Sequence, residues 1–291
     1  METSELLKKV RRIEIKTKRQ STHLFAGEYH SKFKGRGMSF SEVREYQYGD
    51  DIRSIDWNVT ARLNHPYVKI FEEERELTVM LLIDVSQSDY FGTRVQFKNE
   101  MMTEIAAVLS FSAINNNDKV GVIFFSDKIE KYLPPKKGKQ HILRIIRELI
   151  DFKPDNKGTN ITQALRYFDN IMKKKTIAFL MSDFMDENYQ KALHIISRRH
   201  DLIGIHIYDE RERSLPPVGL VRFRDAETDI IKWIDTSAKK VRKTYQKWFV
   251  EKEQYLNTTF IKCGADLINI RTNESYITAL VNFFRKRAKK R

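Results

Sequence analysis

The stretch VMLLIDVSQS places Asp84, Ser86 and Ser88 at alternate positions directly after an apolar run. Further along, KGTN offers Gly158, Thr159 and Asn160 ahead of a helical pattern, and SDFMD offers Ser182, Asp183 and Asp186 after a second apolar run. Hard Mg²⁺ takes oxygen ligands octahedrally at about 2.0–2.1 Å and keeps several waters, whereas zinc prefers nitrogen and sulfur. Two carboxylates and three hydroxyls drawn from such a set therefore suit Mg²⁺ or Mn²⁺. With at most two anions nearby, such an ion keeps positions that an acidic residue of a partner would complete. Adhesion rather than hydrolysis is the chemistry expected. Alternatively, these residues do no more than cap helices and turns.

The parts needed for an enzyme are missing elsewhere in the sequence. Cys263 is the one cysteine, in no recognisable motif, and the seven histidines show no metal-ligand spacing; in HIISRRH, His194 and His200 are not on adjacent helical turns. No G-x-x-x-x-G-K-[ST] phosphate loop occurs, so any ATPase involved is another protein. The alternative in another class is Mg²⁺-dependent nucleic-acid binding or phosphodiester cleavage, suggested by the same donors in a basic chain. Against it, the basic ends lack interleaved aromatics, and the site lacks the carboxylates that hold two metals.

Positioning such residues requires strands that end together. Apolar runs at Thr78–Ile83, Val120–Phe125, Thr176–Met181 and Leu202–Tyr208 alternate with helical patterns at Val95–Ile114, Gln140–Asp151, Ile161–Lys173 and Asn188–Arg199. Continuous apolar strands between amphipathic helices predict an α/β, doubly wound, mostly parallel sheet covered on both faces. Ligands of such sheets bind beyond the carboxyl ends of the strands. After Asp209 a β-hairpin and a charged helix from about Ala238 to Leu256 are expected, an insertion spanning about 211–262, before a strand at Asp266–Arg271 and a helix at Ser275–Lys289. Residues 77–291 form the predicted sheet domain; residues 1–76 form an N-terminal arm.

Within that arm, Ser4 and the face Leu6, Leu7, Val10 and Ile13 predict an amphipathic helix that docks on its own domain. Residues 20–77 read as extended segments and turns. There, Asp50, Asp51, Arg53, Asp56 and Arg62 are dense enough to form a salt-bridge network that holds the arm to the sheet domain or, alternatively, a surface that docks a partner.

The net charge of +14 sits at the two ends. Residues 1–40 hold ten Lys and Arg against four Asp and Glu, residues 236–291 fourteen against four, and the middle 29 against 31. Such ends are compatible with an anionic membrane surface, through residues 4–19 or the FFRKRAKKR tail. Neither a leader nor an apolar run of about 18 residues is present, and a lone cysteine forms no internal disulfide, so a cytoplasmic protein is expected, with peripheral contact at the inner membrane left open.

DVSQS with the later GTN and SDF resembles the metal-ion-dependent adhesion site of von Willebrand factor A domains, a Rossmann-type fold. The resemblance implies that Ser86, Ser88 and Thr159 contact the ion through hydroxyls, while Asp84 and Asp183 act through waters or through hydrogen bonds to the serines. More specifically, Phe33–Ser88, KGTNITQAL, SDF and RTNESYITALVNFFRKR resemble the bacterial family called domain of unknown function 58, a von Willebrand factor A-like group. That resemblance implies association with a MoxR-type AAA+ ATPase and related von Willebrand factor A-like proteins, in protein maturation, metal insertion or envelope stress tolerance. It implies no known reaction.

Overall fold

The computed structural model describes residues 39–72, 77–86, 98–152, 154, 158–224 and 231–289. The amphipathic helix expected over residues 4–19, the residue Ser88 and the last two residues of the basic tail lie outside these. The described residues divide into two compact units, one within Lys32–Glu76 and one from Leu77 onward.

In the smaller unit, β1 (Ser39–Glu45) runs antiparallel to β2 (Tyr67–Glu72), with a register shift between Phe40 and Glu42. The connection is not all extended, because α1 (Trp57–Leu63) lies within it. Asp56 starts this helix by accepting from the amides of Asn58 and Val59, which would otherwise lack acceptors. Asn64, at φ 55°, ends it. The acids of this stretch work locally: Asp51 caps the turn Ile52–Ser54, Asp56 also faces Lys69 at 3.5 Å, and Asp50 grips Arg44 through two bonds of 2.6 and 2.8 Å.

In the larger unit, the four apolar runs become β3 (Thr78–Asp84), β4 (Lys119–Phe125), β6 (Ile177–Ser182) and β7 (Asp201–Tyr208), and the later expected strand becomes β10 (Asp266–Arg271). One further strand, β5 (Ile129–Lys136), holds Pro134 and Pro135. Proline donates nothing to a sheet ladder and is largely confined to edges, and β5 is an edge strand, antiparallel to β4. The order is β10-β7-β6-β3-β4-β5, with every other pairing parallel. This is the α/β, doubly wound, mostly parallel sheet that the sequence predicts.

Helices cover both faces, sorted by the alternation of the strand residues. Val79, Leu81 and Ile83 face α2 (Lys98–Asn115) and α8 (Tyr276–Lys289), through Met101, Ile105 and Leu280. Met80 and Leu82 face α4 (Ile161–Ile171), α5 (Gln190–Arg199) and α7 (Lys239–Cys263), through Leu165, Leu193 and Phe260. A further helix, α3 (Lys139–Asp151), sets Ile142 and Ile146 against Ala107 and Phe111 of α2. Close approach matters at Gly204 in β7, where an added Cβ would stand 2.5 Å from the Phe260 ring.

After β7 come a single helical turn, α6 (Glu210–Arg213), and the hairpin β8 (Leu220–Arg224) with β9 (Ile231–Asp235). From β3 the chain winds one way, to β4 and β5; it then returns to β6 on the other side of β3 and continues to β7 and β10. The carboxyl ends of β3 and β6 therefore flank the switch point of the sheet, the place where open α/β sheets hold their ligands.

Candidate metal centre

Asp84 is the last residue of β3 and is 1% exposed. Its Oδ1 accepts from the Ser86 amide at 3.0 Å, and its Oδ2 accepts from the Ser182 hydroxyl at 2.7 Å. Thr159 Oγ1 approaches Oδ1 at 3.5 Å. Thr159 is held by its neighbours: the Asn160 amide donates to the Ser126 carbonyl beyond β4 at 2.8 Å, and the Asn160 side chain caps α4 by accepting from the Gln163 amide at 2.9 Å. The loop after β6 joins the same tie, since Asp186 accepts from the Ile161 amide at 2.7 Å.

Beyond β6 the backbone turns sharply, with Phe184 at φ 52°. A left-handed conformation costs an ordinary residue roughly 1–2 kcal/mol. The buried ring offsets it by packing edge-on to Phe260 at 5.4 Å, and the Phe184 amide donates to Ser182 Oγ at 3.0 Å. The turn leaves Asp183 buried at the strand end, where its Oδ1 accepts from the Met185 amide at 3.2 Å and its Oδ2 faces Lys98 Nζ at 3.2 Å.

Lys98 and Glu212 were not legible as site residues in the sequence. Lys98 opens α2 with its side chain fully buried, and its ammonium spans Asp183 and Glu212 Oε1, the latter at 2.6 Å. Its one sequence signal is register: Lys98, Met101, Met102 and Ile105 share a buried helical face, an unusual place for a charge. Glu212 closes a capping box on α6, accepting from the Asp209 amide at 2.8 Å, while Asp209 accepts from Thr272 Oγ1 at 2.8 Å.

Burial raises the pKa of Asp84 to about 7, the charge of Asp183 adds to the rise, and the hydrogen bonds from Ser182 and Ser86 oppose it. Burial likewise raises that of Glu212, against the pull of Lys98. Burial lowers that of His206 to about 4, so this imidazole, bonded to Asn269 at 2.9 Å, is neutral.

With all groups ionised, the buried carboxylates of Asp84 and Asp183 and the partly buried one of Glu212 carry three charges against the one ammonium that Asp183 and Glu212 share, which leaves a formal charge of −2 beside the hydroxyls of Ser86 and Thr159. A divalent cation would relieve the repulsion between Asp84 and Asp183, and these donors fit a hard ion. Among the described residues, no three His, Cys, Asp or Glu side chains cluster as a conventional metal site. Of the residues singled out from the sequence, Asp84, Ser86, Thr159 and Asp183 gather at the switch point. Ser182 supports Asp84, Asn160 and Asp186 serve the start of α4, and Ser88 lies outside the described residues.

Residues 42–255 match the family described as "Protein of unknown function DUF58". The chain belongs to the DUF58 family. An uncharacterized protein of Mycobacterium tuberculosis is 27% identical over 281 residues, spanning 96% of this chain and 88% of that protein. Among solved structures, BatB from Bacteroides thetaiotaomicron is 16% identical with a TM-score of 0.49, over 73% of this DUF58 chain and 99% of that one. A mussel byssus proximal thread matrix protein with a zinc-occupied MIDAS motif is 18% identical with a TM-score of 0.40, over 72% and 46%. With scores this low, the fold assignment rests on the strand order, and family membership on the match over residues 42–255.

Proposed function

We propose that this DUF58 protein is a non-enzymatic, metal-dependent protein-interaction module. Asp84, Ser86, Ser88, Thr159 and Asp183 would hold Mg²⁺ or Mn²⁺ at the sheet switch point, and an acidic residue of a partner would complete the shell. The observation that carries this is the pair of buried carboxylates, Asp84 and Asp183, set among hydroxyls at the strand ends with a formal excess of negative charge. Bound there, the ion would supply an electrophilic docking point. The chain's own residues do the positioning: Ser182 and the Ser86 amide orient Asp84, the Met185 amide orients Asp183, and Asn160 and Asp186 fix the loop that carries Thr159.

Hydrolysis by two metals is less well served by this arrangement, because the remaining acids nearby are committed, Asp186 to the Ile161 amide and Glu212 to Lys98. For the partner, the sequence resemblance points to a MoxR-type AAA+ ATPase, in protein maturation or stress tolerance. The place of action would be the cytoplasm or the inner face of the inner membrane. No helix among the described residues is long and apolar enough to cross a membrane.

Calorimetric titration with Mg²⁺ and Mn²⁺, with and without the ATPase, on wild type and Asp84→Ala, tests the proposal. Metal-dependent ATPase binding that the substitution abolishes is expected. Binding indifferent to both metal and substitution refutes it.

A further inference from the structure

We propose that Lys98 is a tethered cation that competes with a divalent ion for Asp183, and that Glu212 is the residue that draws it aside; this rests on the metal-binding function proposed above. The ammonium is fully buried, and a buried charge must be paired, so Lys98 is confined to the carboxylates it can reach. It reaches Asp183 Oδ2 at 3.2 Å and Glu212 Oε1 at 2.6 Å, and of these stands closer to Glu212.

Asp183 has little to spare. Its Oδ1 is engaged by the Met185 amide, so an ion approaching Asp183 must share Oδ2 with the ammonium. Glu212, in contrast, is a fixed post. Its Oε2 is held by the Asp209 amide, and Asp209 is itself fixed by Thr272 and by the Arg211 amide at 2.9 Å.

The metal affinity of the site would therefore be set by a division of one ammonium between two acids. Take Glu212 away and the ammonium leans more on Asp183, which then binds a metal less well. Remove the ammonium and Asp183 Oδ2 loses that competitor. The two substitutions act through one contact, so their effects are coupled: with no ammonium to divert, Glu212 loses its influence on the metal.

The test is calorimetric titration of the full chain with MnCl₂ on wild type, Lys98→Met, Glu212→Gln, the double variant and Lys252→Met, a control cation against the sulfur of Met185. Lys98→Met is expected to bind Mn²⁺ about tenfold more tightly, and Glu212→Gln about threefold or more weakly, with no effect of Glu212→Gln in the Lys98→Met background and no gain in Lys252→Met. Independent, multiplying effects, or an equal gain in Lys252→Met, would mean simple through-space electrostatics and overturn the competition. Equal Mn²⁺ binding by all variants overturns the competition and leaves the metal site standing; no binding by any variant overturns both. Should Lys98→Met fail to fold, the double variant, which loses one charge of each sign, is compared with Glu212→Gln. A gain there of about thirtyfold or more is expected, the Mn²⁺-induced rise in Tm provides a second readout, and no gain overturns the proposal.

Discussion

Replacing Asp84 by Asn keeps the shape of the side chain and removes its charge. In the metal-free protein that charge is held in a buried position beside Asp183, and the pKa is raised from 3.8 to about 7. Roughly three units at about 1.4 kcal/mol each set an upper bound near 4 kcal/mol on the cost of ionised Asp84 at pH 8. The amide forfeits part of this, because it cannot accept from both the Ser86 amide and the Ser182 hydroxyl as the carboxylate does, a loss of about 1–2 kcal/mol. The net expectation is a gain of about 2 kcal/mol, or a rise in Tm of about 5 °C for a chain of this size. The sign follows from proton counting: between pH 4 and 7 the folded state holds the Asp84 proton and the unfolded state has lost it, so wild-type stability falls through this window and is level above it. Asp84→Asn should thus match wild type near pH 4 and surpass it by pH 8, in thermal melts recorded with a chelator. Saturating Mn²⁺ should reverse the order, since an ion at one hundred times its Kd stabilises only the protein that binds it, by about 2.7 kcal/mol. A variant no more stable than wild type at pH 8, or one with the same advantage at pH 4, would refute the electrostatic account of the site.

Thr159→Val should weaken Mn²⁺ binding several-fold in calorimetry, because it removes the hydroxyl that stands 3.5 Å from Asp84 Oδ1. Burial lowers the pKa of His206 to about 4, so this residue makes the protein less stable as pH falls from 6.5 toward 4; His206→Phe, stacked on Tyr208 in its place, should flatten the acid limb of a Tm-against-pH curve. Gly204→Ala drives a methyl against Phe260 and Leu267 and should cost about 1–3 kcal/mol in denaturant unfolding, with Gly204→Ala plus Phe260→Leu recovering part of the loss.

The apolar runs that become β3, β4, β6 and β7 were legible because a strand buried on both faces has few polar residues to interrupt it, and the partly buried edge strand at Asp266–Arg271 was also placed residue for residue. The α/β class follows from the alternation of those runs with helices. Edge strand β5 was passed over because Pro134 and Pro135 speak against a strand everywhere except at an edge, and being at an edge is a property of the finished sheet. Helix α1 was read as extended because seven residues are too few for a period to show, although Asp56 was present as its cap.

For the site, sequence chemistry offered oxygen donors after three strands, the resemblance to an adhesion site singled out Asp84, Ser86, Ser88, Thr159 and Asp183 among them, and parallel strands alone predict that such loops share one edge of a sheet. Which loops become neighbours is decided by the winding: β6 returns to the far side of β3, and that sets Asp183 and Ser182 against Asp84 across 98 residues of chain. Lys98 and Glu212 lie largely beyond sequence patterning for the same reason. Lys98 gives one hint by sharing an apolar helical face, Glu212 in its charged stretch gives none, and only the fold brings the buried ammonium and this acid together as an ion pair.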